Sequence, residues 1–339
     1  MTSIRDIAKL AGVSAASVSR ILNRDETFSI NENTRKRVIE YANQLNYSKE
    51  KQKKGARSVS NAQTIALISR HTEENELNDP YFQLIRRGIE KEAAKWRLGV
   101  RLVFRMHDAE KDLQQLEQYG AVIVIGTMTE EGLAELYRYN QQIILVDDYK
   151  HYARYDSVRT DFDLKTDEML ELLYERKHTK IAFIGGFGSR VNIAGKTIVG
   201  AGEVRADSYR KWMTLHGLQD NIDVYQDQWS AESALHLTNQ LLQNKVRPTA
   251  IVAASDPMAV GIYKALHEAN LRIPEDIAVV SFDDISMAAF MTPALSTVHA
   301  NMAEMGAFAV SLAKGRMLDQ RKMPVTVICA SNLMIRESI

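Results

Sequence analysis

The chain has one cysteine, Cys329, in 339 residues. An intrachain disulfide framework is therefore excluded, and a reducing cytosol is the natural compartment. Cys329 closes a predicted strand that begins at Pro324 and reads as a buried thiol. A catalytic thiol would want a histidine partner, and nothing in the sequence points to one. Long apolar runs are missing too. The longest, such as Ala121 to Ile125, are far too short to span a bilayer. Met1 to Ala11 carries charges where a signal peptide would have its apolar stretch, so neither secretion nor a membrane is expected. The eight histidines are scattered without Cys/His ligand spacing, so no metal is expected. The dinucleotide fingerprint is incomplete: Gly185-Gly-Phe-Gly-Ser-Arg-Val191 lacks the last glycine and reads equally well as a glycine-rich cleft loop. Paired acids could imitate a glycosidase, but that chemistry needs a defined separation between carboxylates that sequence does not show. The expectation is no cofactor and no enzymatic activity.

Net charge is absent overall, with 43 Lys/Arg against 43 Asp/Glu, yet it is unevenly spread. Residues 1–60 hold 12 basic and 6 acidic side chains, and the remainder holds 31 and 37. A basic head on an acidic body engages polyanions with one end only. The length suits a small head followed by a two-lobed body.

The head begins with Ser3, a good N-cap, and Asp6, which favours the positive helix end. Ile4, Ile7, Ala8 and Ala11 then form one apolar stripe. Gly12 stops this helix, and Ser14 caps the next one. In the second helix Val18, Ile21 and Leu22 point inward, while Ala15, Ala16, Ser17 and Arg20 lie toward the start and outer face. A third helix is predicted from about Glu32 to Leu45, and Tyr47 could close the small core. Two short helices joined at a glycine, the second with a small-residue face, suit the major groove of DNA. Ala15 and Ala16 let the backbone approach closely and can meet thymine methyls, and Arg20 can pair with guanine. Ser14, Ser17, Asn23 and Thr34 suit phosphate oxygens.

From Thr64 onward short apolar runs alternate with helical patterns. Strands are predicted at Ile65–Ile68, Val100–Phe104, Val122–Ile125, Ile143–Val146, Ile181–Ile184, Ala250–Ala253 and Ile277–Phe282, with helices between most of them. Leu113–Tyr119 reads as a helix, and Val325–Ile335 as one strand. This alternation implies an α/β body with doubly wound parallel sheets in two lobes. A cleft between such lobes holds ligands beyond the carboxyl ends of the strands. Acids stand there: Asp147 and Asp148, Asp161, Asp256 after Ser255, and Asp283 with Asp284. Carboxylates accept hydrogen bonds from the hydroxyls of a neutral polyol, and Arg205 could donate to its oxygens. Each acid also reads as a helix N-cap. For Asp156, Asp163 and Asp276 the cap or turn reading is the better one. Asp79-Pro80 is a turn signal, with Tyr81 and Phe82 as candidate cleft walls.

Residues 3–47 resemble the DNA-binding head of the LacI/GalR repressor family. The resemblance rests on Ile4-Arg-Asp-Ile-Ala, Ala11-Gly-Val-Ser, Val18-Ser-Arg-Ile-Leu-Asn23, Thr34-Arg-Lys-Arg-Val38 and Leu45-Asn-Tyr47. It continues through the body in Asn78-Asp-Pro-Tyr-Phe82, Arg205 with Tyr209, Ala254-Ser-Asp-Pro-Met-Ala259, Ile273-Pro-Glu-Asp276, Val280-Ser-Phe-Asp-Asp284 and Pro293-Ala-Leu-Ser-Thr-Val298. The resemblance implies a body of the periplasmic-binding-protein type. It also implies a hinge at Gly55-Ala-Arg-Ser-Val59, where Val59 takes the place of a minor-groove leucine and Arg57 adds positive charge. It implies effector contacts at Asp147, Arg205, Ser255 and Asp283. Ser255 departs from an asparagine common in sugar-induced members. Within the family, Glu76-Leu-Asn-Asp-Pro-Tyr-Phe82, Arg86 to Glu90 and Tyr155-Asp-Ser-Val158 look closest to repressors of the evolved-β-galactosidase and galactose operon type.

The expectation is therefore a cytoplasmic, homodimeric repressor of a sugar-utilisation operon. Its partners are operator double-stranded DNA and a small sugar, galactose or a galactoside, held between the lobes. The absence of a heptad tail favours a dimer over a tetramer. The expected divisions are a head at 1–48, a linker at 49–62 and a body at 63–339. Lobe 1 is expected at about 63–156 and 297–320, and lobe 2 at about 157–296 and 321–339. A solute-binding sugar receptor, or a regulator answering to another metabolite such as a nucleobase, stays open as the alternative.

Overall fold

The computed structural model describes residues 4–22, 30–44, 61–200 and 202–339. The chain divides into two units, Met1–Ser58 and Val59–Ile339.

In the first unit, α1 (Ile4–Ala11), α2 (Ala15–Leu22) and α3 (Glu32–Gln44) pack a core of Ile7, Ala8, Ala11, Val18, Ile21, Val38 and Ala42. These are the apolar stripes seen in the sequence. Gly12 stands at φ +66°, and Val13 N–H bonds Ala8 O at 3.1 Å, closing a Schellman-type end to α1. Ser14 then caps α2 by accepting the Ser17 N–H at 3.1 Å. Asn23, Leu45, Tyr47, Arg57 and Val59 lie outside the described residues.

The second unit holds two six-stranded sheets. The first contains β1 (Thr64–Ser69), β2 (Gly99–Arg105), β3 (Ala121–Ile125), β4 (Ile143–Val146), β5 (Asp156–Thr160) and β13 (Thr326–Cys329), in the order β13-β5-β4-β3-β1-β2, all parallel. The second contains β6 (Ile181–Gly186), β9 (Asp223–Asp227), β10 (Ala250–Ala253), β11 (Ala278–Asp283), β12 (Ser296–His299) and β14 (Asn332–Met334), in the order β14-β12-β11-β10-β6-β9. Only β14 is antiparallel to its neighbour. The central strands β1, β3, β4, β6, β10 and β11 are buried along their length, which is why they read as unbroken apolar runs. Helices Pro80–Lys95 and Met302–Met317 pack so closely that a Cβ on Gly88 would lie 2.2 Å from Ala303 O, and one on Gly306 2.3 Å from Ile85 O. No helix among the described residues is long and apolar enough to cross a membrane.

The strand pairings move the lobe boundaries. The sequence suggests crossings at 156/157, 296/297 and 320/321. However, β5 pairs with β4 and β13 in the first sheet, and β12 pairs with β11 in the second. The chain therefore crosses after Thr160, after His299 and after Cys329. The single strand expected over Val325–Ile335 is two strands in different sheets, and Leu113–Tyr119 holds only a 3-10 turn at Gln114–Gln118. Asp156, expected as a cap or turn, is instead a fully buried ion-pair centre. It binds Arg316 at 3.0 Å, Arg321 at 2.5 Å and the Val325 N–H at 2.8 Å.

Candidate functional site

A cleft of about 1460 Å³ opens among the carboxyl ends of both sheets. Of the residues expected to hold an effector, Tyr81, Phe82, Asp147, Arg205, Ser255 and Asp283 line it. Asp161 does not. Its carboxylate is occupied by Ser331, whose N–H donates at 3.0 Å and whose hydroxyl bonds the same oxygen. Asn301 Nδ2 donates to Ala330 O at 2.8 Å, so all three crossing segments are tied together here. Asp161 is thus a crossover staple rather than a cleft residue.

Asp147 follows β4 and Asp283 ends β11, and both adopt left-handed backbone, at φ 64° and 107°. Tyr81 Oη donates to Asp147 Oδ1 at 3.0 Å. Burial pushes the Asp147 carboxyl up to about 7, with Arg205 pulling in the other direction. Asp283 is pushed well above the carboxylate range by burial and by its neighbours Asp79 and Asp256. Asp79 is itself raised by burial, although it accepts the Tyr81 N–H and caps helix Pro80–Lys95.

Arg205 lies in the first turn of helix Val204–Leu215. Its Nε donates to Glu203 Oε1 at 2.7 Å and its Nη1 to Ala254 O at 2.8 Å. The guanidinium sits over the rings of Phe162 and Trp229, each at 4.9 Å, and of Phe282 at 5.5 Å. Burial alone would lower its basicity; Glu203 and Asp283 more than reverse this. Ser255 occupies the N-cap position of helix Asp256–Glu268 yet makes no side-chain capping bond. Asp256 beside it turns away, accepting from Thr297 Oγ1 at 2.7 Å and the Ile285 N–H at 2.9 Å. Asp284 pairs with Arg336 and His299. The cleft thus sets hydroxyl-accepting carboxyls from both lobes around the Arg205 guanidinium on an aromatic floor.

The sequence reading missed several lining groups: Arg70, His71, Tyr149, Asp79, Arg190, Glu203 and Trp229. Arg70 and His71 follow β1 just as Asp147 follows β4, so the same strand-end rule would have found them had it been applied to cations. Arg190 had no comparable signal. It lies on a hairpin, β7 (Ser189–Val191) with β8 (Thr197–Val199), where the glycine-rich loop was expected. This hairpin leaves the second sheet and docks on the first lobe. Thr129 N–H bonds Val191 O at 3.0 Å, and Val191 N–H bonds Thr127 O at 3.1 Å. Arg190 grips buried Asp148 through two nitrogens at 2.8 and 3.0 Å, and Arg70 donates to Ser189 O at 2.8 Å.

On the head, Ala15, Ala16 and Arg20 are exposed on α2, while Ser17 and Thr34 are half-buried. Ser14 Oγ is also 2.9 Å from Ser17 Oγ, so its cap role accounts for part of its bonding. Among the described residues no group of His, Cys, Asp and Glu could hold a metal ion.

A model of bacterial regulatory proteins of the lacI family matches residues 3–50, and a periplasmic binding protein-like domain matches residues 170–339. The HTH-type transcriptional regulator GalR of Streptococcus thermophilus is 31% identical over 100% of this chain and 99% of its own length. Among solved structures, the transcriptional regulator CelR–cellobiose complex matches with a TM-score of 0.71 at 21% identity, covering 100% of both chains. The lac repressor dimer bound to operator and the anti-inducer ONPF matches with a TM-score of 0.67 at 20% identity, covering 99% of this chain and 98% of that one. The chain belongs to the lacI family of bacterial regulatory proteins. Its relatives are DNA-binding transcription regulators and not enzymes.

Proposed function

We propose that the chain is a homodimeric, sugar-responsive transcriptional repressor whose effector, galactose or a galactoside, binds in the interlobe cleft. One observation carries the reading: Asp147 and Asp283 face one cleft from opposite lobes, with Arg205 held over aromatic rings between them. Buried carboxyl groups and a guanidinium bond hydroxyls in both directions, and ring faces suit the C–H side of a sugar. A related structure is a cellobiose complex, and another is a dimer bound to operator, which supports both halves of the reading.

Asp147, Arg205, Ser255 and Asp283 hold the hydroxyls in this reading, and Tyr81 and Phe82 wall the site. Ala15, Ala16 and Arg20 meet base edges, while Ser14, Ser17 and Thr34 meet phosphates. Asn23, Arg57 and Val59 complete the DNA contacts by resemblance to the family. Sugar favours one lobe arrangement, and that arrangement changes the grip of the paired heads on a two-fold operator.

The test is a thermal-shift screen of galactose, glucose, ribose, several disaccharides and the nucleobases adenine and guanine on the full chain and on Asp283→Asn. Asparagine is chosen because it tolerates left-handed backbone better than alanine. A sugar should raise the melting temperature of the wild type and leave the variant unmoved. Equal shifts in both would remove Asp283 from the site; a response to nucleobases alone would overturn the sugar reading.

A further inference from the structure

Few buried polar side-chain atoms in the described residues lack a hydrogen-bond partner, and two of them line this one cleft: His71 Nε2 and Tyr149 Oη. A buried polar atom is costly to leave unpaired, so a ligand hydroxyl that reaches either atom gains a hydrogen bond.

The two atoms stand beyond different strands of the first sheet. His71 follows β1 and Tyr149 follows β4, and β3 stands between those strands. Neighbouring strands lie about 4.8 Å apart, which separates the two strand ends by roughly 10 Å. Their surroundings differ as well. Tyr149 stands among Asp147, Arg205 and Glu203, with its ring 6.2 Å from Phe162. His71 stands beside Arg70, and its ring is stacked on Phe82 at 3.7 Å, which fixes its plane. Arg70 is held by Thr127 and Ser189, so its guanidinium is fixed as well. Burial pushes the imidazole down to about 3, so at neutral pH it is uncharged. A neutral imidazole nitrogen can donate or accept according to tautomer, as a hydroxyl can. The cavity of about 1460 Å³ also exceeds the roughly 300–1,000 Å³ usual for a small-molecule site.

We propose that the cleft has two sugar subsites and that the effector is a disaccharide: one ring sits at Asp147, Tyr149, Arg205 and Asp283, and the second bonds His71 Nε2 beside Arg70. The inference rests on the reading of the cleft as a sugar site. Tyr149 bonds the first ring and His71 the second, with Phe82 as the apolar wall behind the imidazole.

Isothermal titration on the full chain tests it, with galactose and glucose as monosaccharide probes, lactose, melibiose and cellobiose as disaccharide probes, and adenine as a non-sugar. The expected result is a disaccharide bound at least tenfold more tightly than its component monosaccharides. In His71→Ala that ratio should fall about fivefold to tenfold, with partial recovery in His71→Gln. Tyr149→Phe should weaken both classes and keep the ratio. The melting temperature of each variant without ligand checks that it is folded. A monosaccharide bound as tightly as any disaccharide, or an unchanged ratio in folded His71→Ala, overturns the second subsite while the sugar reading stands. Binding of adenine and of no sugar overturns both.

Discussion

Asp147 and Asp283 occupy matching places in the two lobes. Each lies at the carboxyl end of a buried strand, each has left-handed backbone, and each faces the same cleft. Left-handed conformation costs a non-glycine residue energy, and it persists where surrounding structure over-determines it. Burial is the main reason that both carboxyls hold their protons more firmly than usual, and like-charged neighbours add to it, Asp148 for Asp147 and Asp79 with Asp256 for Asp283.

Stability should therefore depend on pH through Asp147. Its carboxyl titrates near 7 in the folded chain against an ordinary value of 3.8. Below about 4 both states are protonated and the group contributes nothing. Between about 4 and 7 the unfolded chain has lost the proton that the folded chain keeps, so stability falls as pH rises, and above 7 the penalty is constant. Asp147→Asn should remove this part of the slope. Urea midpoints of both proteins at pH 5 and pH 8 check it: the variant's advantage should be larger at pH 8, and an equal advantage at both would contradict the assignment.

The hairpin latch should be worth measurable stability. Asp148 is 1% exposed and Arg190 20% exposed, and they share two hydrogen bonds. Arg190→Ala leaves a buried carboxylate with only Tyr152 and a backbone N–H as donors. A loss of about 3 kcal/mol is expected in denaturant unfolding. Adding Asp148→Asn should recover part of it. A loss below about 0.5 kcal/mol would mean that the hairpin is only lightly held.

Strand-end chemistry was legible where local pattern carried it. The apolar runs of β1, β3, β4, β6, β10 and β11 named the sheets, and Asp147 after β4 and Asp283 at the end of β11 named two acids of the cleft. What failed depended on distant partners. Asp161 stands at a strand end as expected, yet Ser331 captures its carboxylate. Asp156 reads as a turn former, and Arg316 and Arg321 make it an ion-pair centre. The polar pair Ser331-Asn332 breaks the apolar pattern of 325–335, but it does not say that Ala330 and Ser331 step from one sheet to the other. Arg190 belongs to a hairpin whose pairing was hidden in a glycine-rich stretch.

Arg20→Ala should relax discrimination at one base position by about 1–3 kcal/mol and leave effector binding unchanged. Binding to a library of single-base operator variants reads this directly. A uniform loss across all variants would instead make Arg20 a phosphate contact.

The central claim is that cleft and head exchange free energy. The direct measurement is a closed cycle on the full chain: operator affinity with and without saturating sugar, and sugar affinity with and without saturating operator. The two ratios should be equal and differ from one, typically by about fivefold to 150-fold. Ratios of one in both directions, with sugar and operator each bound, would contradict it.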